Sequence, residues 1–202
     1  MNREDHWNNI YNTKEHASVS WYQITPATSL DVIEKYRIPK NANIIDIGGG
    51  QSFFVDQLLK LGYTNITVLD ISKEAIQRTK ERLGNLANNV KWILSDIVSF
   101  DPEEKYDFWH DRATFHFLND KNDIAAYQAR LKTGLNKNGI AFIGTFSVDG
   151  PAKCSGIDIT QYDENSLPER FDFLEKIECF RIDHTTPSEK NQNFIFCIFK
   201  HI

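Results

Sequence analysis

The chain has 202 residues, 41% of them hydrophobic and 25% charged, a composition suited to one domain with a substantial core rather than to a disordered segment. Its formal net charge of −5 argues against general affinity for a nucleic-acid backbone, which needs clustered Lys and Arg. Its first residues are too polar for a signal peptide and it has no apolar run of about 18 residues, so a cytoplasmic protein without nucleic-acid or membrane partners is expected.

Residues 1–27 carry Trp7, Tyr11, Trp21 and Tyr22, large rings with polar handles and no regular apolar period. They read as an arm. Either it is a lid over a ligand, with Trp21, Tyr22 and Gln23 in contact, or it packs its aromatics on the sheet edge or on a partner subunit. No linker interrupts the rest, so residues 1–202 are expected to form a single domain with its core over 28–202. The first predicted helix runs from Ser29 to about Arg37.

Next comes the most informative stretch. The apolar residues Ile44, Ile45 and Ile47 lead into Asp46-Ile-Gly48-Gly49-Gly50-Gln-Ser52, which predicts a buried strand ending in a glycine loop where a ligand approaches the backbone and a helix N-terminus. A dinucleotide loop requires G-x-G-x-x-G, but Phe53 stands where its third glycine belongs. No Gly-Lys-Ser/Thr follows, which excludes a P-loop. The Asp46 carboxylate would repel a pyrophosphate, whereas it suits a ligand with an ammonium and a sulfonium: S-adenosylmethionine.

Phe54, Leu58 and Leu61 follow a helical period stopped by Gly62. A second strand-like run then ends at Asp70, about 20 residues beyond the glycines, where a carboxylate can accept both ribose hydroxyls. Ser72 caps the following helix, marked by Ile76, Thr79 and Leu83 and ended by Gly84. A third run ends at Asp96, placed to accept the adenine amino group, with Ile71 and Ile97 bracketing the purine. Residues 106–110 and 139–146 read as further strands, joined by a helix with Ile124, Tyr127, Leu131 and Leu135 on one face. The chain closes with strand-like residues 173–184 and 194–199 around a polar turn at 187–191, an antiparallel hairpin. Cys154, Cys179 and Cys197 are odd in number and lack C-x-x-C spacing. That speaks against a disulfide framework or metal site and for a reducing compartment, with Cys179 and Cys197 as small core hydrophobes.

Asp46-Ile-Gly-Gly-Gly, Val68-Leu-Asp70-Ile-Ser and Leu94-Ser-Asp96-Ile together resemble the class I S-adenosylmethionine-dependent methyltransferases, over about residues 28 to 200. The resemblance implies a doubly wound, Rossmann-like α/β fold. Its mostly parallel seven-stranded sheet would end in a C-terminal antiparallel hairpin, with the cofactor at the carboxyl ends of the first strands and the acceptor beyond the fourth and fifth. Ser52 departs from the family's further glycine but can cap the helix there.

Candidate acceptor residues follow the fourth strand. His110 is the first choice for a general base, Arg112 can bind a substrate carboxylate through its planar fork or pair with Asp111, and His116 is a weaker base. Cys154 and His184 lie on later loops, without a metal-ligand pattern. The expected activity is methyl transfer to an N, O or S nucleophile of a small molecule. The alternatives are a protein-lysine methyltransferase or a silent module that binds S-adenosylmethionine and contacts a partner.

Overall fold

The computed structural model describes residues 2–202. Its strands are β1 (Asn43–Ile47), β2 (Asn65–Asp70), β3 (Val90–Leu94), β4 (Tyr106–Arg112), β5 (Leu135–Phe146), β8 (Glu175–Thr185) and β9 (Asn191–Lys200), in one sheet of order β3-β2-β1-β4-β5-β9-β8. The first four pairings are parallel and the last two antiparallel, as the sequence implied. A two-stranded ribbon, β6 (Lys153–Cys154) and β7 (Ile157–Asp158), lies apart from it.

The helices are α1 (Arg3–Thr13), α2 (Ala27–Lys35), α3 (Phe54–Lys60), α4 (Lys73–Leu83) and α5 (Lys121–Gly134). A central strand buried on both faces reads as continuously apolar, its alternate side chains feeding two cores. Ile44, Val68, Phe108 and Phe142 share one core with Phe54, Val55 and Leu58 of α3. Ile45, Ile47, Trp109 and Ile143 share the other with Tyr127 and Leu131 of α5. Ser72 caps α4 by accepting the Ala75 N–H (3.2 Å), and Ser52 Oγ accepts the Phe54 N–H (3.0 Å) at the start of α3.

Three expectations need correcting. The arm contains a helix: α1 is largely polar and is fixed at its start by the Asn2 side chain, which accepts the Asp5 N–H (2.7 Å), so it shows no apolar stripe to read. Leu135 leaves the helical face and opens β5, and β4 runs on to Arg112. Most consequentially, Cys179 and Cys197 form a disulfide. They are directly opposed in the β8–β9 ladder, with Cα atoms 4.2 Å apart, within the close spacing of a non-hydrogen-bonded antiparallel pair. Cysteine parity carries no information about strand register. With the disulfide present, the cysteine case for a reducing compartment falls; no helix among the described residues is long and apolar enough to cross a membrane.

Replacing both cysteines (Cys179→Ala with Cys197→Ala) is expected to lower unfolding free energy by about 3 kcal/mol under non-reducing conditions, the typical scale for closing a loop of this length. Denaturant titrations should show the gap closing when reductant is added to the wild type; equal stability without reductant would remove the bond from the account.

Candidate active site

Strand alternation sorts the residues at the tip of β4. His110 points to the same face as Asp46 of β1, its register partner, whereas Asp111 points to the opposite face. His110 Nδ1 donates to Asp46 Oδ1 (2.6 Å), and Nε2 is paired with Ser29 Oγ of α2 (2.8 Å). The ring is 2% exposed and stacks on Phe54 at 4.1 Å. Both nitrogens are hydrogen-bonded, and of the site's two cavities His110 borders the smaller and not the larger. Asp111 accepts from the Tyr127 hydroxyl (2.7 Å) and the Thr114 N–H (2.8 Å), and burial pushes its carboxyl up to about 7. The anticipated Arg112–Asp111 pair therefore does not form.

The glycine loop sits over these groups. Gly48 has φ +67°, and its N–H bonds to the Leu69 carbonyl (2.8 Å), which folds the loop onto the end of β2. A side chain at Gly49 would strike the Asp46 carboxylate, and one at Gly50 would strike Asp70 and Ala75. Here glycine is required for approach to the acids. Asp46 Oδ2 is buried without a partner, an open acceptor beneath the loop. Asp70 accepts from the Gly50 N–H (2.9 Å) and the Ser72 N–H (2.7 Å); burial outweighs these bonds and pushes its carboxyl up to about 6.

Two cavities meet along this loop. The larger is lined at one end by Asp70, Ile71, Asp96 and Ile97, and at the other by Arg112, Phe146 and Phe194. The smaller is lined by Asp46, Gly49, Tyr22 and His110. Gly48, Trp21, Tyr11 and Arg112 border both. The structure thus brings the predicted strand-tip acids, two of the three glycines, Ile71, Ile97, Trp21 and Tyr22 to one pair of cavities, and Gly50 reaches it through its bond to Asp70. His116 is set apart: its Nδ1 accepts the Phe146 N–H (3.2 Å) and burial lowers it to about 3, so it stays neutral in the core. The Cys154 thiol lines the larger cavity and is pushed up to about 11 by burial.

The arm lines both cavities, and sequence reasoning missed most of what holds it. Arg3 pairs with Asp96 (3.1 Å) and with Asp123, and Asn8 accepts from the Ser72 hydroxyl (2.7 Å) at the start of α4. The Ser20 carbonyl bonds to His184 Nε2 (2.8 Å), and the Trp21 carbonyl accepts from Arg112 (3.1 Å). These bonds join residues far apart in the chain, so no local motif announces them.

A family model described as "Methyltransferase domain" matches residues 38–179. The chain belongs to this family. Among curated relatives of the methyltransferase family, malonyl-[acyl-carrier protein] O-methyltransferase 2 of Ilyobacter polytropus is 32% identical over 108 residues, 53% of this chain and 40% of that protein. EEF1A lysine methyltransferase 2 of Homo sapiens is 38% identical over 68 residues, 31% of this chain and 29% of that protein. The chain thus spans less than half the length of either. The fold is that of class I methyltransferases: Burkholderia thailandensis 1,6-didemethyltoxoflavin-N1-methyltransferase, solved with 1,6-didemethyltoxoflavin and S-adenosylhomocysteine, superposes with a TM-score of 0.70 at 17% identity, covering 98% of this chain and 83% of that one.

The residues present fit S-adenosylmethionine, the methyl donor of class I methyltransferases. Asp46 Oδ2 is an unpartnered acceptor for an ammonium, Asp70 is an acid at the β2 tip, and Ile71 and Ile97 are apolar walls. A ligand hydroxyl that donates to Asp70 needs the ionised carboxylate, so binding through it would release the proton held below about pH 6. Affinity for S-adenosylhomocysteine, measured by calorimetry, is expected to fall as pH drops through 6. In Asp70→Asn it should be about ten- to a hundredfold weaker at neutral pH, without that inflection.

Proposed function

We propose that the protein transfers a methyl group from S-adenosylmethionine to an N, O or S nucleophile of a small molecule. The observation that carries this reading is the roof: α1 and residues 20–23 are bonded across the cavity mouth at both ends. A cavity lined by Trp7, Trp21, Phe117 and Phe194 suits a compact guest better than a protein surface. The arm is read as a lid.

A sulfonium supplies an already activated methyl group, so the protein's task is positioning, worth roughly 7–11 kcal/mol when the reacting atoms are held in line. Asp46 and Asp70 hold the two ends of the donor, and the loop glycines let it lie against the backbone. His110 is reassigned from general base to positioning residue, since it orients Asp46 through a buried bond. Where the acceptor wall meets the arm, the titratable groups include Tyr11, Arg112 and Cys154, all protonated at neutral pH: burial raises the Tyr11 hydroxyl well above its ordinary value and leaves Arg112 at about 10 and Cys154 at about 11. The acceptor's nucleophile therefore enters with a lone pair available and yields its proton to water.

Purified protein incubated with methyl-labelled S-adenosylmethionine and a cell extract is expected to place label in a new small molecule. Label confined to a protein band would select the protein-lysine alternative, and bound cofactor without label in either fraction would favour the silent module. Separately, Arg3→Ala should speed amide exchange in residues 3–13 and weaken S-adenosylhomocysteine by a few-fold, the scale of a partly exposed ion pair. Unchanged exchange would show that the ion pairs do not hold the lid.

A further inference from the structure

The antiparallel β5–β9 pairing sets Phe146 opposite Phe194, and the tip of β4 adds Arg112 beside them. Cys154 and Gln192 complete this wall of the larger cavity. Arg112 has no carboxylate partner among the described residues: Asp111 faces away, and the bonds of Arg112 amount to the one given to the Trp21 carbonyl. Its guanidinium lies 5.3 Å from the centroid of the Phe194 ring in the larger cavity; Arg112 also borders the smaller cavity, where the Asp46 carboxylate attracts its charge without pairing with it. The other arginine of the larger cavity, Arg3, is already paired with Asp96 and Asp123. Gln192 is 9% exposed, and its Oε1 is buried with no donor. A buried amide oxygen left unpaired is costly, and a ligand N–H or O–H would satisfy it.

We propose that this wall recognises the methyl acceptor as a small aromatic carboxylic acid bearing an amino or hydroxyl group. Arg112 takes the carboxylate, the Phe146 and Phe194 rings, packed edge to face with centroids 4.7 Å apart, back the ring from one side, and Gln192 Oε1 accepts from the N–H or O–H. One unpaired cation balances one negative charge, which matches a carboxylate rather than a phosphate dianion. Burial lowers Arg112 only to about 10, so it is charged at neutral pH. This inference rests on the small-molecule reading above and deepens it by naming the acceptor class.

The test needs no turnover. With the protein saturated by S-adenosylhomocysteine, benzoate, benzamide and the 3- and 4-hydroxybenzoates are titrated against tryptophan fluorescence, since Trp7 and Trp21 line the cavity. Benzoate is expected to bind at least about tenfold more tightly than benzamide, as a charge-assisted bidentate contact requires. Arg112→Met should weaken benzoate by about ten- to a hundredfold, while S-adenosylhomocysteine weakens by no more than the few-fold that loss of the bond from Arg112 to the Trp21 carbonyl costs the arm. One hydroxybenzoate should exceed benzoate, and Gln192→Leu should erase that gain even if Arg112→Met fails to fold. Equal binding of benzoate and benzamide, or no saturable binding by any of the four, would overturn the proposal. So would a parallel loss of S-adenosylhomocysteine affinity in Arg112→Met, because the guanidinium would then belong to the cofactor's carboxylate. Failure of the wild type to bind S-adenosylhomocysteine is a separate result, and would bring down the methyltransferase reading together with this one.

Discussion

Everything in the two cavities is referenced to one buried contact, the 2.6 Å bond between His110 and Asp46. A carboxylate at 2% exposure between two strands is costly unless it is hydrogen-bonded, and the imidazole supplies that bond from the neighbouring strand while Ser29 supports its far nitrogen. Three elements, β1, β4 and α2, are thereby tied at one point. The outcome is a carboxylate with one oxygen fixed and one left open beneath the glycine loop. The same contact holds His110, attractive as a base by its place in the chain, against Asp46.

The sheet order then divides labour along its carboxyl edge. From the centre outwards, β1, β2 and β3 carry Asp46, Asp70 and the loop to Asp96, which form the cofactor half. In the other direction β4, β5 and the antiparallel β9 bring Arg112, Phe146 and Phe194 together. The reversal in β9 matters, because it returns the start of that strand to the end of β5. A parallel strand in that place would have put Gln192 at the far edge of the sheet.

Much of this was legible because the cofactor half is encoded locally. Each acid ends its own apolar run, glycines mark the loop between them, and Ser72 caps α4 where a serine before a helical period should. The remainder depends on register and on long-range pairing. Cys179 and Cys197 look like core residues until the ladder sets them face to face. Gln192 sits in a polar stretch that reads as the end of a turn. The polar sequence of α1 conceals a helix held by its aromatics and by Arg3 and Asn8, whose partners are between 64 and 120 residues away. The distinct tasks of His110, Asp111 and Arg112 emerge only once strand alternation points neighbours to opposite faces.

The anchors of α1 lie at the adenosine end of the larger cavity: Arg3 holds Asp96, and Asn8 holds the first turn of α4. If this helix acts as the proposed lid, it bars the route by which spent cofactor would leave, and each catalytic cycle would include a release and re-seating of the arm. Such motions run on microsecond-to-millisecond timescales and limit turnover in many enzymes. Evolution of this protein's speed would then act on the strength of a few surface bonds in the first ten residues, far in sequence from the atoms that react.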